Sequence, residues 1–551
     1  MARPNRLAGA DRRLLRGYAP LLGLLALYAL VIALTPTVAR ERLVTNTTGG
    51  GRAASGSSTA PGAGDSEAGG AAGGAAGAAG AANGSAQNGG QPGLTATGPT
   101  TSCGPQQVPG DPYSPPCVAF SGDNGGATYR GVSADTIRLG FRLTSDPGLQ
   151  ALLSQLANGR DIPKETAEDV QRTAEGLIDY FNQKFQLYGR KLQLITFQGR
   201  GSSVNEAIGG GQDLANADAI QAAQELNIFA DVSAFTAPYA NALTQQGVMA
   251  FGAPYMSRKW FNDHAPYVWS IVPDCSQLAE LNIAGYVKFL AGKPAQWAGG
   301  SLQGKTRSLA IIAPNSPVYQ ECVDDGLKLL KDSGGGDALR LDYTLDPGSM
   351  STQASNLIDQ LKSHDITSVA LGTDPLLPLF LTQKAAEQDY HPEWLVLGTA
   401  LTDSDIAGQQ YTKDQWSHAF GISQLGPQTD SRATYGYQAF KSARPDQEPS
   451  ITVDLLYYQL YEVVLGLQLA GPSLTPDSFA QGMFLYPGGS GLAGTWHFAP
   501  GDYTAQDDGV AVWWDPDAVS DYDGKAGRYI QASSRFTAKS LPSDPPTYFQ
   551  K

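Results

Sequence analysis

Along this chain the spacing of hydrophobic positions changes from one segment to the next, and the changes predict its elements. From residue 131 onward, short apolar runs alternate with stretches whose apolar residues recur every three or four positions, the pattern of strands alternating with amphipathic helices. Thr136-Ile137-Arg138-Leu139-Gly140-Phe141 predicts a first strand, and Thr144-Ser145-Asp146-Pro147-Gly148 its exit turn. Val170, Ala174, Leu177, Ile178, Phe181 and Phe185 fall on one face of a helix over 165–185. Gly189-Arg190 ends that helix, and 191–197 predicts the second strand. A Gly-rich excursion over 199–211 then leads into a helix over 214–225.

The stretch from Leu226 to Pro273 reads as strand, Ser/Thr-rich turn, short helix, strand, turn and strand. Residues 227–232 form an apolar run of strand length, and Ser233-Ala234-Phe235-Thr236-Ala237-Pro238 opens a helix over 239–246 with Thr236 as its expected cap. The free N–H groups and dipole of such a helix start suit an anionic ligand group. Gly247 to Phe251 predicts the next strand, broken by the turn Gly252-Ala253-Pro254-Tyr255. Two neighbouring strand-end turns make one rim, where open α/β sheets bind ligands.

After Pro273 the alternation restarts. Helices are expected over 275–290, 317–331, 351–363 and 376–388, and strands over 308–313, 339–344, 368–372 and 394–398. One continuous sheet of so many strands would be unusually wide, so two consecutive α/β lobes with parallel sheets are expected. Residues 451–470 are apolar around the helix circumference and predict a buried helix; Asp454, Gln459, Glu462 and Gln468 argue against a membrane span. Residues 494–498 and 510–514 predict late strands, and the tail after Asp521 reads as loosely structured.

The beginning of the chain follows different rules. Five arginines within residues 1–16 precede an uncharged, Leu-rich stretch over 17–39, long enough to span a bilayer with the N-terminus cytoplasmic. The competing reading is a cleaved signal peptide, since Thr37-Val38-Ala39 weakly resembles a cleavage site. No cysteine precedes Cys103, which leaves no lipidation site beside the apolar stretch. Residues 41–102 are Gly, Ala, Ser and Thr with almost no large apolar side chain, a flexible tether with a root-mean-square reach of about 45 Å. Cys103 and Cys117 bracket a Pro-rich segment that a disulfide would staple; Cys275 and Cys322, near the starts of neighbouring helices, allow a second bridge, though sequence alone cannot set the pairing.

Chemistry narrows the function. The 551 residues carry a net charge of −14 with no basic run beyond the N-terminus, which argues against a nucleic-acid partner. The five histidines lie in no metal-ligand spacing, and no nucleophile elbow or phosphate-binding Gly-Lys-Ser/Thr loop occurs, so neither an enzyme nor a metal or cofactor site is expected.

The ordered set of motifs resembles the extracellular solute-binding proteins of branched-chain amino-acid ABC transporters, the Leu/Ile/Val-binding type with the type I periplasmic-binding fold. The resemblance covers about residues 131–520. It rests on 135–140, on Tyr180-Phe181-Asn182 followed by 189–194, on Ser233 through Pro238, on Gly247-Val248, on 267–273, on 310–313 with Tyr319, and on Gly494-Thr495-Trp496-His497-Phe498. It implies two lobes joined by three crossings that close on a ligand by hinge motion. On this pattern 131–272 with about 399–490 form the first lobe, and 273–398 with about 491–520 the second. Around them stand the anchor or signal (1–40), the linker (41–102), the stapled segment (103–130) and the tail (521–551).

By the same resemblance Ser145, Ser233, Phe235, Thr236, Gly252, Ala253 and Tyr255 would meet the ligand from the first lobe, Tyr319 and Asp374 from the second, and Thr399 from the turn where the chain crosses back. Each has a plainer role open to it: Ser233 as a cap, Tyr319 as packing at a helix start, the aromatics as core, Asp374-Pro375 as a helix-start signal. The chain departs from the family where amino-acid binders meet the α-carboxylate, because Pro254 removes a backbone donor. It also departs where an acid would meet the α-ammonium: that turn reads Thr399-Ala400-Leu401, and Asp374 and Asp403 are imperfect substitutes. A buried ammonium lacking its partner would cost several kcal/mol, so an apolar or aromatic small molecule suits Phe235, Tyr239, Phe251, Tyr255 and Trp260 better than a free amino acid. The implied partners are a small-molecule ligand, an ABC permease and the membrane; the alternative is a ligand-sensing or envelope-interaction ectodomain that delivers nothing.

Overall fold

A computed structural model describes residues 104–144, 166–346, 348–426 and 428–550. The predicted anchor and tether, Cys103 and Ser145 lie outside the described residues, and no described helix is long and apolar enough to cross a membrane.

The chain folds as α/β with two sheets. Strand β1 (Thr136–Leu143) pairs in parallel with β2 (Lys191–Gln198) along its whole length, from Thr136 opposite Lys191 to Leu143 opposite Gln198. Between them runs helix α1 (Ala167–Lys184), started by a reciprocal capping box between Thr166 and Asp169 and burying the predicted face through Val170, Ala174, Leu177 and Phe181. Helix α2 (Gln212–Ile220), β3 (Ala230–Asp231), α3 (Ala237–Gln245), β4 (Met249–Phe251) and β5 (Val268–Trp269) complete a five-stranded sheet in the order β2-β1-β3-β4-β5.

The chain then crosses to α4 (Cys275–Phe289), capped by Asp274, and continues through β6 (Leu309–Pro314), α5 (Pro317–Asp332), β7 (Ala338–Tyr343), α6 (Met350–Ser363), β8 (Ser368–Leu371), α7 (Leu377–Glu387) and β9 (Glu393–Val396). The second sheet corrects the expected lobe boundaries. Strand β10 (Ala419–Ser423) pairs in parallel with β9, so the return to the first lobe comes after Gln424 and not at Gly398. Five residues interrupted by Gly421 are too short and too weakly apolar to stand out as a strand; the glycine is there because a Cβ would lie 2.0 Å from the Val396 carbonyl oxygen of β9.

Helices α8 (Tyr435–Ala443), α9 (Val453–Leu469) and α10 (Pro476–Met483) serve the first lobe, and α9 is buried as predicted, its Tyr457 and Tyr461 rings 5.6 and 5.7 Å from Phe181. The hairpin β11 (Gly489–Gly491) and β12 (Gly494–Trp496) also packs there, through Trp496 and Phe498, although these residues were expected in the second lobe. Only β13 (Val510–Val519) and β14 (Ala526–Gln531) rejoin the second sheet, antiparallel, giving β14-β13-β10-β9-β8-β6-β7. The tail after Asp521 is therefore an edge strand followed by Tyr548 and Phe549, which stack on Trp297 and Phe420.

The Pro-rich segment after Cys103 is also part of the first lobe. The Tyr113 ring lies 4.8 Å from Trp496 and its hydroxyl donates to the Gly494 carbonyl, while the Arg190 guanidinium donates to carbonyls of Asn124 and Gly126. Three passages connect the lobes, after β5, after β10 and between β12 and β13. They are tied together: Ala505 N donates to the Ser270 carbonyl (2.9 Å), the Thr504 hydroxyl to Gln277 (2.7 Å), and the Gln506 amide to the Gln424 carbonyl.

Candidate functional site

The turn after β3 is held by buried charge. Arg142, at the end of β1, reaches Glu206 at 2.7 Å and Asp218 at 3.2 Å, with side chains only 2% (Arg142) and 0% (both acids) exposed. Its guanidinium lies 3.6 Å from the centre of the Tyr239 ring, and the Tyr239 hydroxyl donates to Asp231 at 2.9 Å. Arg142 is the one buried cation against the carboxylates of Glu206, Asp218 and Asp231, so hydrogen bonds from Thr236, Ser233, Tyr239 and the backbone N–H groups of Arg200 and Gly201 make up the rest.

This network takes up two of the predicted ligand groups. The Ser233 hydroxyl accepts from Arg142 N (2.7 Å) and donates to Asp231 (2.6 Å), so it faces inward and does not reach the cleft. Thr236 stands at the start of α3, but its hydroxyl donates to Glu206 and does not cap the helix. Ala253 is fully buried away from the cleft. Ser145 lies outside the described residues.

Thr236, though its hydroxyl is spent on Glu206, and the remaining predicted residues share one cavity. Phe235, Thr236, Gly252 and Tyr255 line it from the first lobe, and Tyr319, Asp374 and Thr399 from the second, around a space of about 380 Å³. That falls within the range of about 300–1,000 Å³ common for small-molecule sites. Gly252 (φ 114°) is required there, because a Cβ would stand 2.6 Å from the Gln459 amide and 2.9 Å from the Phe235 ring. Gln459 donates to the Val232 and Phe251 carbonyls (2.6 and 2.8 Å), pinning together the ends of β3 and β4. It is one of four polar residues in a helix that is otherwise apolar around its circumference, a sequence signal that was used only against a membrane span.

Direct bonds span the cleft. The Tyr255 hydroxyl accepts from Ala400 N at 3.0 Å, and the Ser257 hydroxyl donates to Glu321 at 2.8 Å. Burial raises the Tyr255 pKa, with nearby Asp403 adding to it, and burial alone pushes Tyr319 up to about 12, so both phenols stay neutral hydrogen-bonding groups. Tyr255 itself sits at φ 58°, and Ala400 and Leu401 opposite at 47° and 61°, left-handed conformations that are uncommon for such residues.

Neither candidate for the missing acid is free. Asp374 accepts from Leu376 N (2.7 Å), Leu377 N (3.3 Å) and the Tyr343 hydroxyl, and burial raises its pKa. Asp403 accepts from Ser423, is likewise raised by burial and does not line the cavity. Among the described residues around the cavity, Asp374 is the one charged type, and no lysine, arginine or histidine joins it.

Folding also brings together one pair of cysteines that the sequence had suggested and one cluster that it had not. A disulfide joins Cys275 to Cys322 across a sequence separation of 47, fastening the start of α4 to the first turns of α5 at the cavity wall. His497, Asp502 and Asp507 place donor atoms within 4.8 Å of one another at the third passage, where the Gln277 amide donates to both aspartates (3.1 and 3.3 Å). The larger omission was the depth of the cavity, which continues along α4 and α5; an apolar helical stripe reads the same in sequence whether it faces a core or a space.

Two lobes built on mostly parallel sheets and joined by three passages, with a largely uncharged cleft walled by strand-end turns from both, have the architecture of a protein that binds a small molecule between its lobes. A sequence model of the periplasmic binding protein family matches residues 163–518, and the chain belongs to that family. Among curated proteins none matches the chain. Similar solved structures include an ABC transporter substrate-binding protein from Aeropyrum pernix, with 15% identity and a TM-score of 0.52, covering 75% of this chain and 97% of that one. A solute-binding protein from R. palustris in complex with 4-hydroxybenzoate has 12% identity and a TM-score of 0.50, covering 74% and 98%. A fatty acid ABC transporter substrate-binding protein from Thermomonospora curvata has 14% identity and a TM-score of 0.50, covering 75% and 96%. At these identities the likeness is one of fold.

Proposed function

We propose that the protein is a membrane-tethered, extracytoplasmic receptor that captures a small apolar or aromatic molecule between its lobes and presents it to an ABC importer. The observation that carries this reading is the shared cavity. Turns from both sheets line it, Tyr255 of one lobe is bonded to Ala400 of the other, and its wall offers hydroxyl, amide and apolar groups without a free counter-ion. Membership of a family of binding proteins supports binding over catalysis. The apolar stretch over 17–39 supports the tether, and Asp374, the one acid on the cavity wall, already accepts three hydrogen bonds, which argues against a ligand with an ammonium group.

Thermal unfolding of the purified full chain against amino acids, aromatic acids, amides and lipids tests it. A ligand near 100 times its dissociation constant should add about 2.7 kcal/mol of stability. Tyr255→Phe, which keeps the ring and removes the hydroxyl that accepts from Ala400, should weaken that ligand. Absence of any stabilisation across all classes would refute the receptor reading.

A further inference from the structure

The cavity does not stop at the cleft. It runs on into the second lobe, between the sheet and the paired helices α4 and α5. Its floor includes Ile311 and Ala313 of β6 with Ala370 of β8, and its roof Ala279 of α4 with Val323 and Leu327 of α5. Both Pro314, at the cleft end of β6, and Leu309, at the far end, line it. Five steps along a strand at about 3.3 Å each give a channel on the order of 17 Å long, far more than a compact amino acid or a single aromatic ring needs.

The packing around this channel is unusual for a domain interior. Ile311 lies mid-strand with β7 on one side and β8 on the other, yet it is only partly buried, while Ala310 and Ile312 on the opposite face are wholly buried. In α5 the apolar stripe faces the sheet, but only Leu330 is buried. Close packing is the rule in interiors, and a dry apolar space of this size gains nothing from water. Most polar groups gather at one end: Tyr255, Tyr319, Asp374 and Thr399 surround the cleft, whereas the far end is Leu309, Leu330 and Phe536 with the rings of Tyr286 and Tyr548, and Asn282 between them spends its amide on the Leu278 and Leu397 carbonyls.

We infer that the ligand is a single-chain amphiphile, with an uncharged hydrogen-bonding head in the cleft and an acyl or alkyl chain threaded beneath α4 and α5. This rests on the receptor reading and specifies its ligand. The chain replaces the missing packing against Ile311 and Leu327, and the head avoids burying a charge that no lysine, arginine or histidine of the wall would meet. Gly326 and Ala279 keep the channel open where the two helices face each other. A Cβ on Gly326 would meet nothing nearer than Ala279 Cβ at 3.7 Å, so the backbone tolerates a side chain there.

The test uses the full chain, with butanol, octanol, dodecanol and laurate as elongated probes and leucine and 4-hydroxybenzoate as compact ones. Affinity should rise roughly fourfold per methylene through the alcohol series, then level off where the chain outgrows the channel. Dodecanol should bind more tightly than laurate at pH 8. Gly326→Phe and Ala279→Phe should weaken dodecanol at least tenfold, the worth of about two buried methylenes, with the unliganded Tm retained. A dodecanol analogue with a photoreactive tail, crosslinked to the parent protein, should label α4 and α5, a readout that needs no variant to fold.

If leucine or 4-hydroxybenzoate stabilises the protein and the alcohols do not, the receptor reading stands and this inference falls. If neither class binds, both fall. Length-dependent binding that labels other segments, or that is untouched by well-folded channel variants, also overturns it, and tighter binding of laurate than of dodecanol overturns the uncharged head.

Discussion

Helix α1 in the first lobe and helix α5 in the second are both amphipathic, both cover a parallel sheet and both carry a glycine within the helix. Their surroundings differ. Nine residues of α1 are buried, and a Cβ on Gly176 would stand 2.4 Å from the Phe440 ring; α5 buries Leu330 alone, and a Cβ on Gly326 would make only ordinary contact with Ala279 Cβ at 3.7 Å. The first lobe is filled by aromatic side chains from α1 and α9, whereas one face of the second is left open along the cavity. Hydrophobic periodicity says which side of a helix turns inward, and it does not say whether protein or ligand meets it there.

If the first lobe is the rigid partner, breaking its charge network should have the largest effect. Arg142→Met leaves Glu206 and Asp218 buried without their cation and should cost about 3–5 kcal/mol in urea unfolding. A loss below about 1 kcal/mol would mean that the turn carrying Phe235 and Thr236 is held by packing alone.

The second lobe's counterpart is the disulfide that fastens the helices over its open face. Closing a separation of 47 residues is worth roughly 4 kcal/mol in the chain-entropy model, so Cys275→Ser with Cys322→Ser should lower stability by about 2–4 kcal/mol. The loss should be accompanied by weaker ligand binding, since the bridge sits in the cavity wall. An equal loss of stability with unchanged binding would separate the staple from the site.

How much of this was legible in sequence follows the range of the interactions. The stripe from Val170 to Phe181 and the strand-end turns near Phe235 and Tyr255 are local patterns, and they were read correctly; the capping box at Thr166 is just as local but was not picked out. Ser233 was misplaced because its hydroxyl is claimed by Arg142 N and Asp231, partners set by tertiary folding. Strands β10 and β14 escaped because one is short and broken by Gly421 and the other is a half-exposed edge strand, so the lobe boundaries moved with them. The channel was invisible for a different reason: it is a property of volume, and residue order does not report volume.

A glycine within the closed lobe gives the next test. In α9, a Cβ on Gly466 would come within 2.0 Å of the Phe479 ring, so Gly466→Ala forces core side chains off their positions and should cost about 1–3 kcal/mol in chemical denaturation. A neutral outcome would show that the first lobe has slack of its own.

The hinge between the lobes should respond to pH. Burial, together with the carboxylates of Asp502, Asp508 and Asp274, pushes Asp507 up to about 7, and burial pushes Asp274 up to about 6; Arg258 acts in the opposite sense on both. Between about pH 4 and 7 the folded state therefore keeps protons that an unfolded aspartate has released. Stability should fall as pH rises through that window and level off above it, by about 1–2 kcal/mol after allowing for partial exposure. Asp507→Asn should flatten the profile; a profile that instead rises from pH 5 to 7 would exclude a hinge held by protonated carboxyls.

The smallest effect discriminates best between the lobes, because the same chemical change should act with opposite sign. Gly326→Ala removes backbone freedom from the unfolded chain in the middle of α5, and its methyl group meets Ala279 Cβ at ordinary contact distance instead of a packed ring, so it should stabilise by about 0.5–1 kcal/mol. Gly176→Ala, facing Phe440, should destabilise. Unliganded protein is the correct reference for both. If Gly326→Ala also destabilises, the space between α4 and α5 is tighter than the positions of Val323, Leu327 and Ile311 imply, and the contrast between a filled and an open lobe loses its basis.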